Sequence, residues 1–191
     1  MPFPELWDFR IVVGRLLALA ESRFVPGLLD RHRASLAHLQ EQLDWDSASH
    51  VSSHNDPNPR NALFDGARLW LIDWETAYRN DPFVDVAIMA DQPGITPELT
   101  SALLTAWLGR PASSEEEHRL AQVTLLTRLY YAGLLFAVVG PPADKLADLA
   151  APSAEEFAAG LTPGAPPTPE LLLTIARMRL RDFLAGCAEL D

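Results

Sequence analysis

Apolar side chains recur at helical spacing over much of the chain. In residues 5–22 they fall on one stripe, which predicts a first helix that is broken at Pro26. Residues 28–43 repeat the spacing with charged positions facing outward, so a second helix is predicted there. The same spacing predicts four more helices, at residues 84–91, 97–108, 113–139 and 169–187. Polar loops are expected at residues 44–52 and 76–83.

One stretch has a different pattern. Residues 62–64 and 69–72 are apolar runs that are too short for helices, and an Asp-Gly turn signal stands between them. They predict an antiparallel hairpin. Because its strands run in opposite directions, Asn61 before the first strand and Asp73 after the second should lie at the same end of the ribbon.

The predicted fold class is therefore α+β, predominantly helical, with one small hairpin. At 191 residues, a single domain over 1–191 is the default expectation. A polar segment covers residues 53–90 and a helical remainder covers 96–191. Within that remainder, residues 151–169 are rich in Ala, Pro, Gly and Thr. This composition predicts a mobile surface segment with a short helix near residues 154–158.

Polar residues flank the hairpin on both sides, His54, Asp56 and Asn61 before it and Asp73 after it. Phosphoryl transfer from a nucleotide depends on positioning and on charge neutralisation. It needs a carboxylate that takes the acceptor's proton, a second that holds Mg²⁺ against the phosphates, and a further oxygen ligand. Asp56, Asp73 and Asn61 can supply these three parts. The alternative is a purely structural role, in which these Asp and Asn residues only form the turns of a hairpin.

Three linked motifs make residues 54–90 resemble the catalytic segment of the aminoglycoside phosphotransferase and choline kinase superfamily, which has a protein-kinase-like fold. They are His54-Asn55-Asp56 with Asn61, similar to the family's His-x-Asp-x-x-x-x-Asn loop; Leu71-Ile72-Asp73-Trp74-Glu75, similar to its metal-binding strand; and Asp81-Pro82 with Asp85-Val86-Ala87, similar to its helix start. The His-Asn-Asp variant looks closer to bacterial choline-kinase-like members than to the antibiotic-resistance enzymes.

The resemblance implies roles for five residues. Asp56 would be the catalytic base, and Asn61 and Asp73 would be the Mg²⁺ ligands. His54 would brace the loop by hydrogen bonds, and Asp85 would hold the loop from its helix start. The implied reaction transfers the terminal phosphate of ATP, the co-substrate, to a hydroxyl of a choline-like or aminoglycoside-like small molecule.

Three neighbouring side chains have two interpretations each. Glu75 either supports the metal site or is a surface charge. Arg60 could partly neutralise phosphate charge, although a solvent-facing arginine is the more ordinary reading. Trp74 is expected in the core.

The chain departs from the family pattern at its N-terminal end. The 53 residues before His54 are predicted to form two helices, and they contain neither a Gly-rich loop nor a lysine. The family holds nucleotide phosphates with a strand lysine on an N-terminal β-lobe, and we expect that lobe to be absent from these residues. The sequence thus resembles the C-terminal lobe alone, and the chain by itself is expected to bind nucleotide poorly.

The composition of the chain argues against some classes of binding partner. The formal net charge of −11, without clustered basic residues, argues against a nucleic-acid surface and against an anionic membrane. It is compatible with a cationic small-molecule substrate, although a contribution to solubility is the more ordinary explanation of the charge. One cysteine, Cys187, excludes an internal disulfide, which fits a cytoplasmic location. Residues 11–20 are apolar, but acidic residues precede them and the run is too short to span a bilayer, so no signal peptide is predicted.

Three functions remain open at this point. The first is an ATP- and Mg²⁺-dependent small-molecule kinase. The second is a non-catalytic remnant lobe that binds a small molecule or a protein, and exposed apolar surface where the absent lobe would dock would favour it or a homodimer. The third is a metal-dependent hydrolase, which ranks last because the ligand set for two metals is insufficient.

Overall fold

A computed structural model describes residues 8–140, 144–162 and 166–190. Seven α-helices lie in these residues: α1 Phe9–Glu21, α2 Asp30–Gln42, α3 Phe83–Ala90, α4 Pro97–Leu108, α5 Ser114–Val139, α6 Ala154–Gly160 and α7 Pro169–Leu190. Every predicted helix has a counterpart among the described residues, with ends shifted by a few residues, and residues 5–7 of the first predicted helix lie outside them. The fold is α+β and mostly helical, as the sequence predicts. Residues 163–165 of the expected mobile segment lie outside the described residues, and its mobility stays a prediction.

In the described part of the chain, four three-residue strands form two antiparallel pairs. β2 (Ala62–Phe64) and β3 (Leu69–Leu71) are the predicted hairpin. β1 (Val51–Ser53) and β4 (Tyr78–Asn80) pair with each other across the polar segment. The expectation of plain loops at these two places is therefore wrong. Pairing with a strand some 25 residues away, rather than local periodicity, makes them extended.

The described chain falls into two compact units. Of the described residues, unit 1 contains 8–9 and 43–127, and unit 2 contains 10–42 and those from 128 onward. The two strand pairs, α3 and α4 belong to unit 1, whereas α2, α6 and α7 belong to unit 2. The prediction of one domain over the whole chain stays a prediction, and each unit is described by itself.

Helix ends in unit 1 are fixed by side chains. The Asp81 carboxylate accepts a hydrogen bond from the Phe83 N–H (2.9 Å), at the first residue of α3. The Thr96 hydroxyl accepts from the Leu99 N–H (3.3 Å) and caps α4, which ends at Gly109 with φ +70°. These caps satisfy N–H groups that a helix start leaves without partners. They set where α3 begins, and α3 carries Asp85.

Close helix packing characterises unit 2. Gly133 on α5 faces Leu16 on α1, and a Cβ at Gly133 would lie 2.5 Å from the Leu16 Cβ. His32 on α2 is 1% exposed, contacts the Phe183 ring and donates from Nε2 to the Leu180 carbonyl of α7 (3.2 Å). This unit therefore depends on apolar contact with few polar exceptions.

Helix α5 has the length and composition of a membrane span. Among the described residues it alone passes that test, and half of its most apolar window is buried inside the structure. A core helix of a water-soluble domain passes the same test, so the observation is weak evidence for a membrane. Burial of Leu126, Leu129 and Phe136 agrees with a core helix.

Candidate active site

The polar segment leaves β1 through a sharp backbone reversal. Asn55, the second residue after β1, has φ +64°, a conformation that residues other than glycine adopt uncommonly. The loop from His54 to Asn61 follows, ends in a short 3₁₀ turn and passes directly into β2. Pro57 and Pro59 keep this loop out of a regular helix. Asp56 thus sits on an irregular loop held between two strands.

His54 is buried at 2% exposure and connects the loop to the hairpin. Its Nε2–H donates to the Ile72 carbonyl (2.8 Å), while its Nδ1 accepts from the Asp56 N–H (3.3 Å). A carbonyl only accepts and an N–H only donates, so these two partners select the Nε2–H tautomer. The side chain thus fixes where the backbone of Asp56 lies relative to Ile72.

Asp56 and Asn61 are in direct contact. The Asn61 Nδ2 donates both to the Asp56 carboxylate and to the Asp56 carbonyl, each at 3.0 Å. The Asn58 Nδ2 donates to the other carboxylate oxygen (2.8 Å). These bonds fix the orientation of the Asp56 carboxylate. Each of its oxygens can still accept a further hydrogen bond, because an ionised carboxylate has about four lone-pair sites. The Asn61 amide oxygen is the atom of that side chain that can ligate a cation.

Hairpin pairing places Asp73 beside this pair. Ala62 is paired with Leu71, and beyond that pair the Ile72 N–H donates to the Asn61 carbonyl (2.9 Å). Asp73 is the next residue, with φ +64° and an exposed side chain. Since Ile72 is bound to both Asn61 and His54, Asp73 follows from a backbone position that two hydrogen bonds determine. The predicted juxtaposition of Asn61 and Asp73 at one ribbon end is present.

Asp85 on α3 binds the start of the loop. Its two carboxylate oxygens accept from the backbone N–H groups of His54 (2.8 Å) and Asn55 (2.7 Å). Burial raises the pKa of the Asp85 carboxyl, and these two donors oppose the shift. The carboxylate therefore receives two charge-assisted hydrogen bonds where the chain turns away from β1.

Two predicted neighbours lie at the surface. Glu75 is exposed, and so is the Arg60 side chain, whose backbone N–H is bonded to Asn58. Their proposed supporting roles stay predictions. Trp74 is 49% exposed, so the expectation of a core position is wrong. Its ring lies against His54 at 4.5 Å between centroids, and its Nε1–H donates to the Leu71 carbonyl, which keeps it at the surface of the loop.

Sequence reasoning missed the polar residues that support the loop from behind. The Asn55 Nδ2 donates to the carbonyls of Ser53, Thr76 and Tyr78 at 3.0–3.3 Å. The Asn80 Nδ2 donates to the Asn55 Oδ1 (2.8 Å). Asn55 stood inside a recognised motif, but nothing in its sequence context indicates a positive φ angle or a partner 25 residues away.

The donor set can be tested against Mg²⁺. In residues 8–140, 144–162 and 166–190 no three His, Cys, Asp or Glu side chains gather as a metal-binding cluster. The carboxylate of Asp73 and the amide oxygen of Asn61 are nevertheless hard oxygen donors of the kind that Mg²⁺ prefers, and Mg²⁺ commonly keeps several water ligands. The residues therefore fit a cation that is shared with phosphate oxygens. They do not fit a closed site built from protein ligands alone.

The fold and the site together define a kinase-like lobe, with a catalytic-type loop, a hairpin and a helix that holds the loop. The family model described as phosphotransferase enzyme family, APH, matches residues 2–122. This is more than half of the chain, and the protein belongs to that family.

Similar proteins agree with this assignment. Protein LicA of Haemophilus influenzae is 37% identical over 54 residues, which cover 28% of this chain and 20% of LicA. The structure of choline kinase LicA from Streptococcus pneumoniae superposes with a TM-score of 0.63 at 19% identity, over 96% of this chain and 56% of that one. A structure of LicA in complex with AMP gives a TM-score of 0.64 at 18% identity, over 97% and 55%. At these identities the structures show the fold alone, and this chain spans little more than half of them.

Proposed function

We propose that this chain carries the acceptor side of an ATP- and Mg²⁺-dependent phosphotransferase that acts on a hydroxyl of a small molecule. The observation that carries the proposal is the Asp56–Asn61 contact at 3.0 Å, with Asp73 held next to it by the hairpin. A metal bound here would neutralise phosphate charge. Family membership supports the reaction class, and the similarity to a structure of LicA in complex with AMP supports a nucleotide as co-substrate.

In this proposal Asp56 orients the acceptor. Its carboxylate accepts the hydrogen bond of the acceptor hydroxyl and takes the proton as the new O–P bond forms and the bond from phosphorus to the nucleotide breaks. Asn58 and Asn61 hold the carboxylate in one orientation while this occurs. Asn61 and Asp73 would hold the cation. The group transferred is the terminal phosphate of ATP.

The proposed acceptor is choline-like. The similar structures include choline kinase LicA from Streptococcus pneumoniae, and the net charge of −11 favours a cationic substrate over an anionic one. An aminoglycoside-like acceptor is the second choice, since it is also cationic and hydroxylated. A cytoplasmic location and the lack of nucleic-acid and membrane partners stay predictions from composition.

Calorimetric titration of Mg²⁺–ATP tests the nucleotide part. We expect weak but saturable binding, and about tenfold weaker binding for Asp73→Ala, because a charged ligand is worth roughly 1.4 kcal/mol or more. Asp44→Ala, which removes an exposed carboxylate from the same unit, should bind like the parent. Absence of binding at millimolar nucleotide would refute the proposal for the chain as given.

A transfer assay tests the chemistry. With Mg²⁺–ATP and choline, and separately with an aminoglycoside, we expect phosphorylated product. We expect Asp56→Asn to lower the rate by a factor on the order of 10² to 10⁴, the usual contribution of a general base. ATP hydrolysis without product from either acceptor would argue instead for a hydrolase.

The alternative is a non-catalytic binding module, and one observation favours it. The hairpin and the residues after it expose seven large apolar side chains, with Phe64 at 69% and Leu69 at 64%. The full set is Leu63, Phe64, Leu69, Trp70, Leu71, Ile72 and Trp74. Several exposed apolar side chains on one hairpin commonly mark a place where another polypeptide binds, here either a second copy or a separate lobe.

Light scattering measures the oligomeric state of the parent and of a Phe64→Gln, Leu69→Gln double variant. With the nucleotide titration, it distinguishes the kinase from the non-catalytic binding module. A dimer that the double variant abolishes, together with no nucleotide binding, would support the module. Nucleotide binding by a monomer would support the kinase. Both Gln side chains are placed at the outer part of the hairpin, away from Asp56, so they leave the proposed site in place.

A further inference from the structure

A chain of hydrogen bonds between polar groups, most of them buried, connects helix α5 to the loop that carries Asp56. The path runs from Arg119 on α5 to Asp81, then to Asn80 at the end of β4, and then to Asn55. All four belong to unit 1. Asp81, Asn80 and Asn55 are at most 3% exposed.

The first link is an ion pair with unequal burial. Arg119 donates to the Asp81 carboxylate, which is fully buried, while the Arg119 side chain is 23% exposed. The Arg119 guanidinium also lies 5.7 Å from the centre of the Phe83 ring, and the Phe83 N–H donates to the other Asp81 oxygen. Removing Arg119 would take away the cation that is paired with the buried Asp81 carboxylate, which is strongly unfavourable.

The second link passes through two amides. The Asp81 N–H donates to the Asn80 Oδ1 (2.9 Å), so the Asn80 Nδ2 faces the Asn55 Oδ1 (2.8 Å). With its oxygen occupied, Asn55 presents its Nδ2 hydrogens to carbonyls on both strands of the β1–β4 pair. Donors and acceptors match at each step, so the orientation of one amide determines that of the next.

The last link is the backbone. Asn55 has φ +64°, and this left-handed turn directs Asp56 away from β1. A side chain anchored at both amide atoms keeps that uncommon conformation in place. We infer that Arg119 is a positioning residue: through Asp81, Asn80 and Asn55 it holds the loop that presents Asp56. Its catalytic consequence rests on the proposed function, whereas its effect on the loop does not.

The test combines spectroscopy with kinetics on the full chain. In Arg119→Met, the side-chain amide hydrogens of Asn55 and Asn80 should exchange with solvent at least about tenfold faster, measured by ¹H–¹⁵N NMR. With Mg²⁺–ATP and choline, kcat per folded molecule should fall by about tenfold or more while both KM values stay unchanged, as expected when only the reacting geometry is lost. Arg119→Lys, which keeps the charge, should restore part of both effects.

Arg110→Met is the matched control. Arg110 lies just before α5 and forms an ion pair at the surface with Glu116, which lies in the first turn of α5. Arg110→Met should leave the Asn55 and Asn80 signals and kcat unchanged. If Arg119→Met does not fold, Asn55→Gly removes the anchoring amide but keeps the left-handed backbone accessible, and should lower kcat with KM unchanged.

The outcomes are separable. Lower thermal stability of Arg119→Met with unchanged amide exchange and unchanged kcat would overturn the inference and leave the proposed function standing. If the parent transfers no phosphate to either acceptor, the proposed function fails, and the amide exchange rates alone then decide the inference.

Discussion

The polar segment of unit 1 and the helices of unit 2 hold their residues in place by different forces. Between β1 and α3, directed hydrogen bonds fix the loop: Asp85 accepts from two backbone N–H groups, and Asn55 donates to three backbone carbonyls. In unit 2, Gly133 and Leu16 meet at van der Waals distance and His32 lies between helices. Directed bonds specify geometry within tenths of an ångström, which a reacting site needs. Apolar packing supplies stability, and it tolerates little change in the volume of the packed side chains.

The contrast predicts that an isosteric change is most damaging in the polar segment. Asp85→Asn keeps the shape of the side chain, but it replaces one acceptor oxygen with a donor that faces a backbone N–H. We expect a loss of about 3 kcal/mol in the free energy of unfolding, since bonds to a charged acceptor are worth about 1.5–3 kcal/mol each. Faster amide hydrogen exchange at His54 and Asn55 should accompany it.

Asp44→Asn is the control for this change, because Asp44 is an exposed carboxylate in the same unit. It should leave both the unfolding free energy and the two exchange rates unchanged. Equal exchange at His54 and Asn55 in the parent and in Asp85→Asn would show that Asp85 does not hold the loop.

Most of the helices could be predicted from the sequence, because in a long helix the apolar residues of the buried face recur at regular spacing. The prediction failed at β1 and β4, since Val51–Ser53 and Tyr78–Asn80 are three-residue strands whose composition is mostly polar. Their extended form comes from pairing with each other, and that pairing lies beyond the range of any local pattern. Each strand also supplies a carbonyl to the Asn55 amide, so the missed sheet is part of the support of the site.

The candidate site was predictable to the extent that its residues stand in a motif. Asp56, Asn61 and Asp73 could be placed together because hairpin geometry is local. Arg119 could not, since it is 38 residues from Asp81 in a helix rich in charged residues at its start. Nor could the exposure of Trp74, whose ring covers His54 while its other face meets solvent. These depend on tertiary contacts that the spacing of residues does not encode.

The buried His32 tests whether polar burial in unit 2 is costly. Desolvation lowers its pKa from 6.5 to about 4, opposed by the hydrogen bond to Leu180. Between these pH values the unfolded chain binds a proton that the folded protein does not, so the free energy of unfolding falls as pH decreases from about 6.5 to about 4. Integrated over that window, the loss approaches about 3 kcal/mol.

Urea unfolding at several pH values across this window measures the effect. His32→Gln keeps an amide donor for the Leu180 carbonyl and does not titrate, so it should flatten the slope of stability against pH. His38→Gln, on the exposed face of the same helix, should keep the parent slope. A slope that His32→Gln leaves intact would mean that another group titrates in this range.

The smallest expected effect comes from two glycines that lie in helices with negative φ angles and differ only in their surroundings. A Cβ at Gly133 would lie 2.5 Å from the Leu16 Cβ and 2.9 Å from its backbone, whereas a Cβ at Gly14 meets nothing within 4 Å. Gly133→Ala must push α1 and α5 apart, and overpacking of this kind costs about 1–3 kcal/mol. Gly14→Ala should instead stabilise the protein by about 0.5–1 kcal/mol, because alanine loses less backbone entropy in a helix. Opposite shifts of the thermal midpoint in the two variants would show that close helix approach, and not glycine as such, determines the sign. If Gly133→Ala and Gly14→Ala both stabilised the protein, α1 and α5 would have to lie farther apart at Gly133 than this structure shows.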